Sequence, residues 1–266
     1  MRNLKVKTVV VKIGTSSLTY PNGKMNYRRI EKLAMVLTDL KNQGKNVILV
    51  SSGAIGVGVA KLNLSRKPTQ VKEKQATAAV GQCQLMAIYD KFFSQYSQDV
   101  AQILITKYVI DNEHSRFNAV NTFSTLLEMG VIPIVNENDV ISTEEIEFGD
   151  NDTLSAHVAQ LVGADLLVIL TDIDGYYDDN PKINPDAKLI HELYEITEEI
   201  KEKAGGTGSK LATGGMVTKL MAAEIAADDG IITVIARGDD PEILYQIIEG
   251  ESVGTAVYGR GEKKHV

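Results

Sequence analysis

The sequence lacks the residues that several common kinds of functional site require. It contains one cysteine, Cys83, which excludes an intramolecular disulfide bond and any cysteine-rich metal site. Its four histidines are scattered and do not show the HExxH spacing of a zinc enzyme, so we assign no metal ligand among them. The GxGxxG and GxxxxGK[ST] patterns are both absent from the chain. A Rossmann dinucleotide site and a P-loop are therefore not indicated.

The sequence also lacks a long hydrophobic run and an excess of positive charge. No stretch of 18 apolar residues occurs, so no membrane-spanning helix is expected. Residues 1–7 show neither the apolar region nor the cleavage site of a signal peptide, which predicts a cytosolic protein. The formal net charge of −7 argues against a nucleic-acid partner. It also means that an anionic substrate needs cations placed locally at its site.

The 266 residues suit one α/β domain or two small ones, and a content of 44% hydrophobic residues is sufficient for a large core. Short β-branched runs that predict buried strands occupy residues 6–13, 46–50, 100–105, 131–135, 165–170 and 231–236. Helices are predicted over residues 28–43, 74–96, 115–128, 152–162 and 215–228. This alternation favours a parallel sheet covered by helices on both faces, with ligands at the carboxyl ends of the strands.

Two of the predicted helices show an apolar repeat close to 3.6 residues, from which we predict the faces that meet the core. In the helix over residues 28–43 these positions are Ile30, Leu33, Ala34, Leu37 and Leu40. In the helix over residues 74–96 they are Ala76, Ala79, Val80, Cys83 and Ala87. We also predict a small hairpin over residues 140–148 and a mobile glycine-rich loop over residues 204–215.

The first two strands each end in a segment suited to an anion. Lys12 lies inside an apolar strand, where a charge is costly unless it is used, and Gly14 follows it. The second strand leads into the run Ser52-Gly53-Ala54-Ile55-Gly56-Val57-Gly58, a glycine-rich turn before a helix. Its free amides would bind an anion, although a tight strand–helix connection explains the glycines equally well. The lysine in turn could simply extend from the strand end into water.

Later strands and helices are flanked by clusters of small polar residues. Residues 136–139 read Asn-Glu-Asn-Asp after a strand, and residues 149–152 read Gly-Asp-Asn-Asp before a helix. The first cluster suits an amino acid's ammonium and carboxylate groups, and turn chemistry is its alternative interpretation. A helix needs only one capping residue, so the three polar residues of the second cluster favour a site.

Two further segments, in the second half of the chain, suit a nucleotide. Thr171 and Asp172 end a strand, and residues 213–219 read Thr-Gly-Gly-Met-Val-Thr-Lys at a helix start, which favours phosphate. Lys12 and Lys219 thus come from distant positions to turns at one sheet edge. Together they suit phosphoryl transfer, which depends on neutralising charge. A carboxylate acceptor needs no general base, in line with the lack of a histidine or cysteine centre.

Taken together, six segments resemble the amino acid kinase family in sequence and in order. They are residues 11–16, 52–55, 136–139, 149–152, 170–172 and 213–219, and the similarity extends from about residue 6 to about residue 258. The resemblance implies a three-layer αβα sandwich with a mainly parallel sheet, formed by a single kinase domain over residues 1–266. It implies an acceptor-binding lobe over about residues 1–160 and a nucleotide-binding lobe over about residues 161–266.

The resemblance also implies a reaction and a set of site residues. The γ-phosphoryl group of ATP would pass to the γ-carboxylate of L-glutamate, giving L-glutamyl 5-phosphate, the first step of proline biosynthesis. Ser52, Asp139 and Asn151 would bind glutamate. Lys12 and Lys219 would stabilise the transferring group, and Asp152, with Asp150 as a further candidate, would orient the lysines. ATP would be bound by Lys12, Thr171, Asp172, Thr213, Gly214, Gly215, Met216, Val217, Thr218 and Lys219.

The implied cofactor and partners are Mg²⁺, held largely by phosphate oxygens and water, proline as a feedback inhibitor, and further copies of the chain in a dimer or tetramer. Many members carry a C-terminal domain of the RNA-modification (PUA) type, and from the length of this sequence we expect a short form without it. Ala212 also replaces a glycine frequent before the Thr-Gly-Gly-Met segment. Two alternatives stay open: a sibling kinase with another acceptor, such as acetylglutamate or carbamate, and a non-catalytic sensor of nucleotide or proline.

Overall fold

A computed structural model describes residues 1–20, 23–142, 151–181, 183–205 and 215–259. Its strands are β1 (Thr8–Ile13), β2 (Asn46–Ser51), β3 (Val100–Ile105), β4 (Ile132–Glu137), β5 (Leu166–Thr171), β6 (Glu192–Leu193), β7 (Ile232–Arg237) and β8 (Thr255–Val257). Its helices are α1 (Thr15–Leu18), α2 (Tyr27–Asn42), α3 (Ala54–Lys61), α4 (Val71–Ser94), α5 (Lys107–Asp111), α6 (Glu113–Glu128), α7 (Asn151–Leu161), α8 (Glu198–Gly205), α9 (Met216–Asp228) and α10 (Ile243–Ile248).

The eight strands form one sheet in the order β3-β4-β2-β1-β5-β7-β8-β6. The pairs from β3 to β7 are parallel, and only β8 runs antiparallel to its neighbour β7. From β1 the chain adds β2 beside it, then places β3 at the edge and β4 between β2 and β3, and then returns to the other side of β1 with β5. This reversal at the β1–β5 boundary is the place where open α/β sheets bind ligands, at the carboxyl ends of the strands.

Helices cover both faces of the sheet, which confirms the predicted three-layer αβα sandwich. Alternate residues of β1 point to opposite faces, so Val9 and Val11 pack with α2, α4 and α10, whereas Val10 packs with α7 and α9. The central strands β1 and β5 are buried along their whole length. Near-continuous apolar runs are the expected sequence of strands buried on both sides, and all six predicted strands are present.

The five predicted helices are also present, as α2, α4, α6, α7 and α9, with small shifts at their ends. The short elements α1, α5, α8, α10, β6 and β8 were not predicted. The hairpin over residues 140–148 and the loop over residues 204–215 fall mostly outside the described residues. In the ranges that are described, no helix is both long and apolar enough to cross a membrane.

The predicted core face of α4 is wrong. Ala76, Ala79, Val80, Cys83 and Ala87 are all exposed. The buried face instead consists of Thr77, Ala78, Gly81, Gln82, Leu85, Ile88, Tyr89, Phe92 and Phe93. The amino-terminal half of α4 packs on α3 rather than on the sheet. This close contact buries the face of α4 that carries Gly81.

The contact between α3 and α4 also corrects the interpretation of the glycine-rich run over residues 52–58. Gly53 alone lies in the turn, with a φ of 104° that suits glycine, whereas Gly56 and Gly58 lie inside α3. A Cβ on Gly58 would overlap the carbonyl oxygen of Thr77, and a Cβ on Gly81 would overlap that of Ala54. Gly58 and Gly81 therefore allow α3 and α4 to approach each other. Gly58 is thus a helix-contact residue and not part of the turn.

Candidate active site

Lys12 reaches the site because of the alternation along β1. Its neighbours Val11 and Ile13 face the layer of α2, so Lys12 points to the opposite layer, where α7 and α9 begin. The residue is 6% exposed and lies near the carboxyl end of the strand. A buried ammonium group needs a partner, and the amino end of α7 provides one.

That partner is Asp152, which lies between the two lysines predicted from the sequence. Lys12 Nζ is 2.6 Å from Asp152 Oδ1, and Lys219 Nζ is 3.0 Å from Asp152 Oδ2. The exposed fraction is 0% for Asp152 and 4% for Lys219. Three elements distant in sequence thus join two cations and one anion, and the cluster carries a net positive charge at the β1–β5 boundary.

The two lysines control the protonation of the carboxyl group. Burial raises the pKa of Asp152, but the charges of Lys12 and Lys219 and their hydrogen bonds outweigh it and bring the pKa to about 2. Asp152 is therefore an anion at neutral pH and cannot act as a general acid. Its physical effect is to hold two ammonium groups side by side that would otherwise repel each other.

The first turn of α9 contributes more than Lys219. The hydroxyl of Thr218 lies 2.9 Å from Asp152 Oδ2 and 2.7 Å from the carbonyl oxygen of Gly215. Gly215 has no side chain to cap the helix, so within the described residues the amino end of α9 has no side-chain cap. Met216 and Val217 begin this helix and are half-buried. Thr213 and Gly214 lie outside the described residues, as does Asp150.

A small polar cavity of about 170 Å³ lies beside the lysine cluster. All three residues expected to bind the acceptor line it, namely Ser52, Asp139 and Asn151. Its wall also includes Thr15 in α1 and Glu137 at the end of β4. This size suits a small metabolite, because sites for drug-sized ligands measure roughly 300–1,000 Å³.

Buried amides join the elements around this cavity. Asn151 Nδ2 donates to the carbonyl oxygen of Ser51 over 2.7 Å and to Asn136 Oδ1 over 2.8 Å. Asn136 Nδ2 donates in turn to Gln82 Oε1 over 2.8 Å. The hydroxyl of Ser51 lies 2.8 Å from that of Tyr89. Hydrogen bonds therefore connect α7, β2, β4 and α4, and they fix the cavity wall to the sheet.

Thr171 and Asp172 lie at the carboxyl end of β5, on the other side of β1. Thr171 is buried and donates to Asp172 Oδ1 over 3.1 Å, whereas Asp172 is exposed. Ile13 pairs with Leu170, so Thr171 lies next to Gly14 at the same edge of the sheet. Asp172 is therefore accessible at this edge of the sheet, whereas Thr171 lies beneath it.

Charged residues not singled out in the sequence lie at the same edge. Arg237, paired in register with Thr171, donates to Asp174 Oδ1 over 2.5 Å. Arg29 on α2 donates to Asp239 over 3.0 Å and to the carbonyl oxygen of Ser17 in α1 over 2.9 Å. These contacts connect the acceptor side of the sheet to the loop after β7.

Sequence reasoning missed Gln82 and the cavity-lining position of Thr15. Thr15 lies in the segment over residues 11–16 that carried the resemblance. Its side chain contacts Gly53 and Ser52 because β1 and β2 are neighbours in the sheet, which the local sequence does not show. Gln82 follows Gly81 on the buried face of α4, which the apolar pattern placed on the exposed side. The only indication of this role in the sequence was that Gln82, a polar residue, directly follows Gly81.

Comparison with known sequences identifies a family and several relatives. Residues 7–237 match the profile of the family described as "Amino acid kinase family". A Clostridium perfringens protein named glutamate 5-kinase is 60% identical over 253 residues, which is 94% of each chain. The Enterococcus faecalis protein of the same name is 54% identical over 261 residues, covering 96% of each chain.

Solved structures share the fold. UMP kinase from Bacillus anthracis superposes with a TM-score of 0.64 at 17% identity, covering 96% of this chain and 97% of that one. Isopentenyl phosphate kinase from T. acidophilum gives a TM-score of 0.61 at 17% identity, covering 94% and 99%. At such low identity the likeness concerns the fold alone.

Proposed function

This chain belongs to the amino acid kinase family, and on that premise we propose that it transfers the γ-phosphoryl group of ATP to the γ-carboxylate of L-glutamate. The product would be L-glutamyl 5-phosphate, the first intermediate of proline biosynthesis. The high identity to proteins named glutamate 5-kinase supports this acceptor. The observation that carries the proposal is the buried cluster in which Asp152 holds Lys12 and Lys219 beside a polar cavity.

In this proposal the lysines act on the transferring group. A glutamate carboxylate oxygen forms a bond to the γ-phosphorus while the bond from that phosphorus to the β–γ bridging oxygen breaks, and ADP leaves with the electron pair. Negative charge spreads over the phosphoryl oxygens in the transition state, and two preorganised ammonium groups stabilise it. Asp152 keeps the ammonium groups in place, and no proton has to be transferred.

The acceptor would lie in the cavity lined by Ser52, Asp139 and Asn151. Carboxylate and amide oxygens accept from an ammonium group, and a hydroxyl donates to a carboxylate, so the three residues suit an amino acid. The cavity adjoins the lysine cluster because Asn151 and Asp152 are consecutive residues of α7. An amino acid bound there would direct its side-chain carboxylate towards Lys12.

ATP would bind on the other side of β1. We assign it to Lys12, Thr171, Asp172 and the start of α9, with Thr213, Gly214, Gly215, Met216, Val217, Thr218 and Lys219 as the contacting segment. The amino end of α9 suits phosphate oxygens. Within the described residues no three histidine, cysteine or acidic side chains are grouped as a metal site. Magnesium would therefore be held by phosphate oxygens and water, where it neutralises phosphate charge.

The sheet order supports a division into two lobes. β1 to β4 and their helices would form an acceptor lobe over about residues 1–160, and β5 to β8 a nucleotide lobe over about residues 161–266. We place the reaction in the cytoplasm, where ATP is available. We further propose that proline inhibits by competing at the acceptor cavity, and that the chain forms a homo-oligomer.

The test is ADP release from Mg-ATP with glutamate, N-acetylglutamate, aspartate and carbamate offered separately, and with hydroxylamine as the trap. A hydroxamate that forms only with glutamate supports the proposal, because hydroxylamine intercepts an acyl phosphate. A response to another acceptor alone would move the assignment to a sibling kinase. Thermal shifts with ATP but no turnover with any acceptor would favour a non-catalytic sensor.

A further inference from the structure

The amides of the acceptor cavity have a fixed direction. Both hydrogens of Asn151 Nδ2 are used, one towards the carbonyl oxygen of Ser51 and one towards Asn136 Oδ1. A carbonyl oxygen can only accept, so Asn151 cannot exchange its nitrogen and oxygen without losing this bond. Asn151 lines the cavity, and its Oδ1 makes no hydrogen bond to any residue that the structure describes. The oxygen is thus available to a ligand.

The next amide is fixed in the same sense. Asn136 Oδ1 also accepts from the backbone N–H of Glu137 over 2.9 Å, so its nitrogen must point away. Asn136 is 3% exposed, and its Nδ2 donates to Gln82 Oε1. Gln82 is 9% exposed, and its Nε2 has no partner in the described part of the chain. Gln82 therefore takes part in this series of hydrogen-bonded amides only as an acceptor, through Oε1.

We propose that Gln82 is a positioning residue that, acting through Asn136, holds Asn151 Oδ1 as the acceptor for a free α-ammonium group of the substrate. This inference rests on the proposed function and assigns residues to the recognition of the acceptor's unmodified amine. Gln82 lies behind Asn136 and does not line the cavity, so it acts on the substrate only through the two asparagines.

Charge around the cavity fits an ammonium ligand. Asp139 and Glu137 line the same cavity as Asn151, and all three carry oxygens that accept hydrogen bonds. An N-acetyl group would remove the positive charge and leave one N–H in place of three. An acceptor without the nitrogen would leave Asn151 Oδ1 without a donor, and a polar group that a bound ligand covers without pairing costs affinity. The site therefore discriminates on the amine as well as on the carboxylates.

The test compares three variants. Gln82→Met keeps the length of the side chain but removes the oxygen, which leaves Asn136 Nδ2 without its acceptor. Gln82→Glu keeps an oxygen at that position, but it exchanges the nitrogen that has no partner for a second oxygen and adds a negative charge. Gln84→Met is the matched control on the same helix, because the side chain of Gln84 is half-buried and makes no hydrogen bond within the described residues.

Two quantities are measured for each variant: the KM for glutamate, and the ratio of kcat/KM for glutamate to that for glutarate, which lacks the amine. We expect Gln82→Met to raise the KM and lower the ratio, each by about fivefold, the scale of one lost buried hydrogen bond. Gln84→Met is expected to stay within about twofold of wild type. Gln82→Glu is expected not to lower the ratio, because it keeps the accepting oxygen and its added charge attracts an ammonium group. A loss of folded protein alone moves neither quantity.

An unchanged ratio in folded Gln82→Met would overturn the inference, and so would an equal fall of the ratio in Gln84→Met. If Gln82→Met does not fold, a fivefold fall of the ratio in Gln82→Glu also overturns it, because that variant keeps the accepting oxygen. Failure of the proposed function gives a different result, since wild-type protein would then form no hydroxamate with glutamate.

Discussion

Among single residues, Asp152 has the most demanding surroundings, because one fully buried carboxylate faces two buried ammonium groups. Desolvation of three charges is costly, and the protein recovers that cost only while all three are present. The arrangement is therefore expected to be sensitive to any change that removes one charge, in stability as well as in catalysis.

We expect Asp152→Asn to lower the free energy of unfolding by about 3–5 kcal/mol at neutral pH, since two buried lysines lose their counter-charge. The pKa of Asp152 is lowered to about 2 in the folded protein, against about 3.9 when unfolded. Its contribution is therefore complete above about pH 4 and falls as the pH drops towards 2. Urea unfolding of both proteins between pH 6 and pH 3 should show their difference shrinking only below about pH 4.

The lysines themselves are expected to affect turnover more than binding. Lys12→Ala or Lys219→Ala should lower kcat by about 10²- to 10³-fold, the scale for removing one preorganised group that stabilises the transition state. Lys41→Ala, at the last turn of α2 near the amino end of β2, is the control and should leave kcat unchanged. Near-normal kcat in either site variant, measured by steady-state kinetics, would contradict the role assigned to that lysine.

Among the helices and strands, the contact between α3 and α4 is the most sensitive to residue type. Gly58 and Gly81 lie where the two helices meet, and neither position has room for a methyl group. Gly56, in contrast, lies inside α3 on an exposed face, where a Cβ would only touch Thr15 Cγ2 at 3.6 Å. A glycine-to-alanine substitution can therefore be compared between a tightly packed helix contact, at Gly81, and an exposed helix position, at Gly56.

Gly81→Ala should destabilise the protein by about 1–3 kcal/mol, because the new methyl group forces α3 and α4 apart. Gly56→Ala should instead stabilise it by about 0.5–1 kcal/mol, the usual gain from alanine over glycine inside a helix. Thermal unfolding of both variants checks the signs. Two shifts in the same direction would show that the close approach of the helices does not decide the outcome.

The elements also show which parts of the protein the sequence could predict. Continuous apolar runs identified every long strand, because burial on both faces leaves no polar positions. The predicted buried face of α4 was wrong because an apolar pattern does not distinguish alanine from glycine. Close contact with Ala54 in α3 requires a glycine, Gly81, on the buried face. Lys12 and Lys219 were predicted from the local sequence and the role of Asp152 from family resemblance. Their meeting at one point depends on the sheet order, which the local sequence does not show.

At the scale of the whole molecule, the exposed residues Ala76, Ala79, Val80, Cys83 and Ala87 form an apolar stripe along α4. Leu62 and Leu64 extend it beyond the end of α3. A second copy of the chain would present the same stripe, and a two-fold axis lets identical surfaces meet. We therefore expect the proposed homo-oligomer to form through this stripe.

Val80→Lys should lower the mass measured by analytical ultracentrifugation, because it places a charge in the middle of the stripe. Tyr108→Lys is the matched control, since Tyr108 is an exposed apolar residue on another helix, α5. A monomeric wild-type protein, or an unchanged mass for Val80→Lys, would show that this surface is not an interface.

One junction links the two halves of the molecule: Asn151 faces the acceptor cavity, and Asp152, the next residue, holds the lysines. A single peptide bond separates the residue proposed to select the acceptor from the residue proposed to set the reaction geometry. Laboratory evolution towards new acceptors is therefore expected to meet a trade-off at α7, where a gain in acceptor range disturbs catalysis. Thr15 and Ser52 line the same cavity but lie outside α7, so they offer a safer starting point for such libraries.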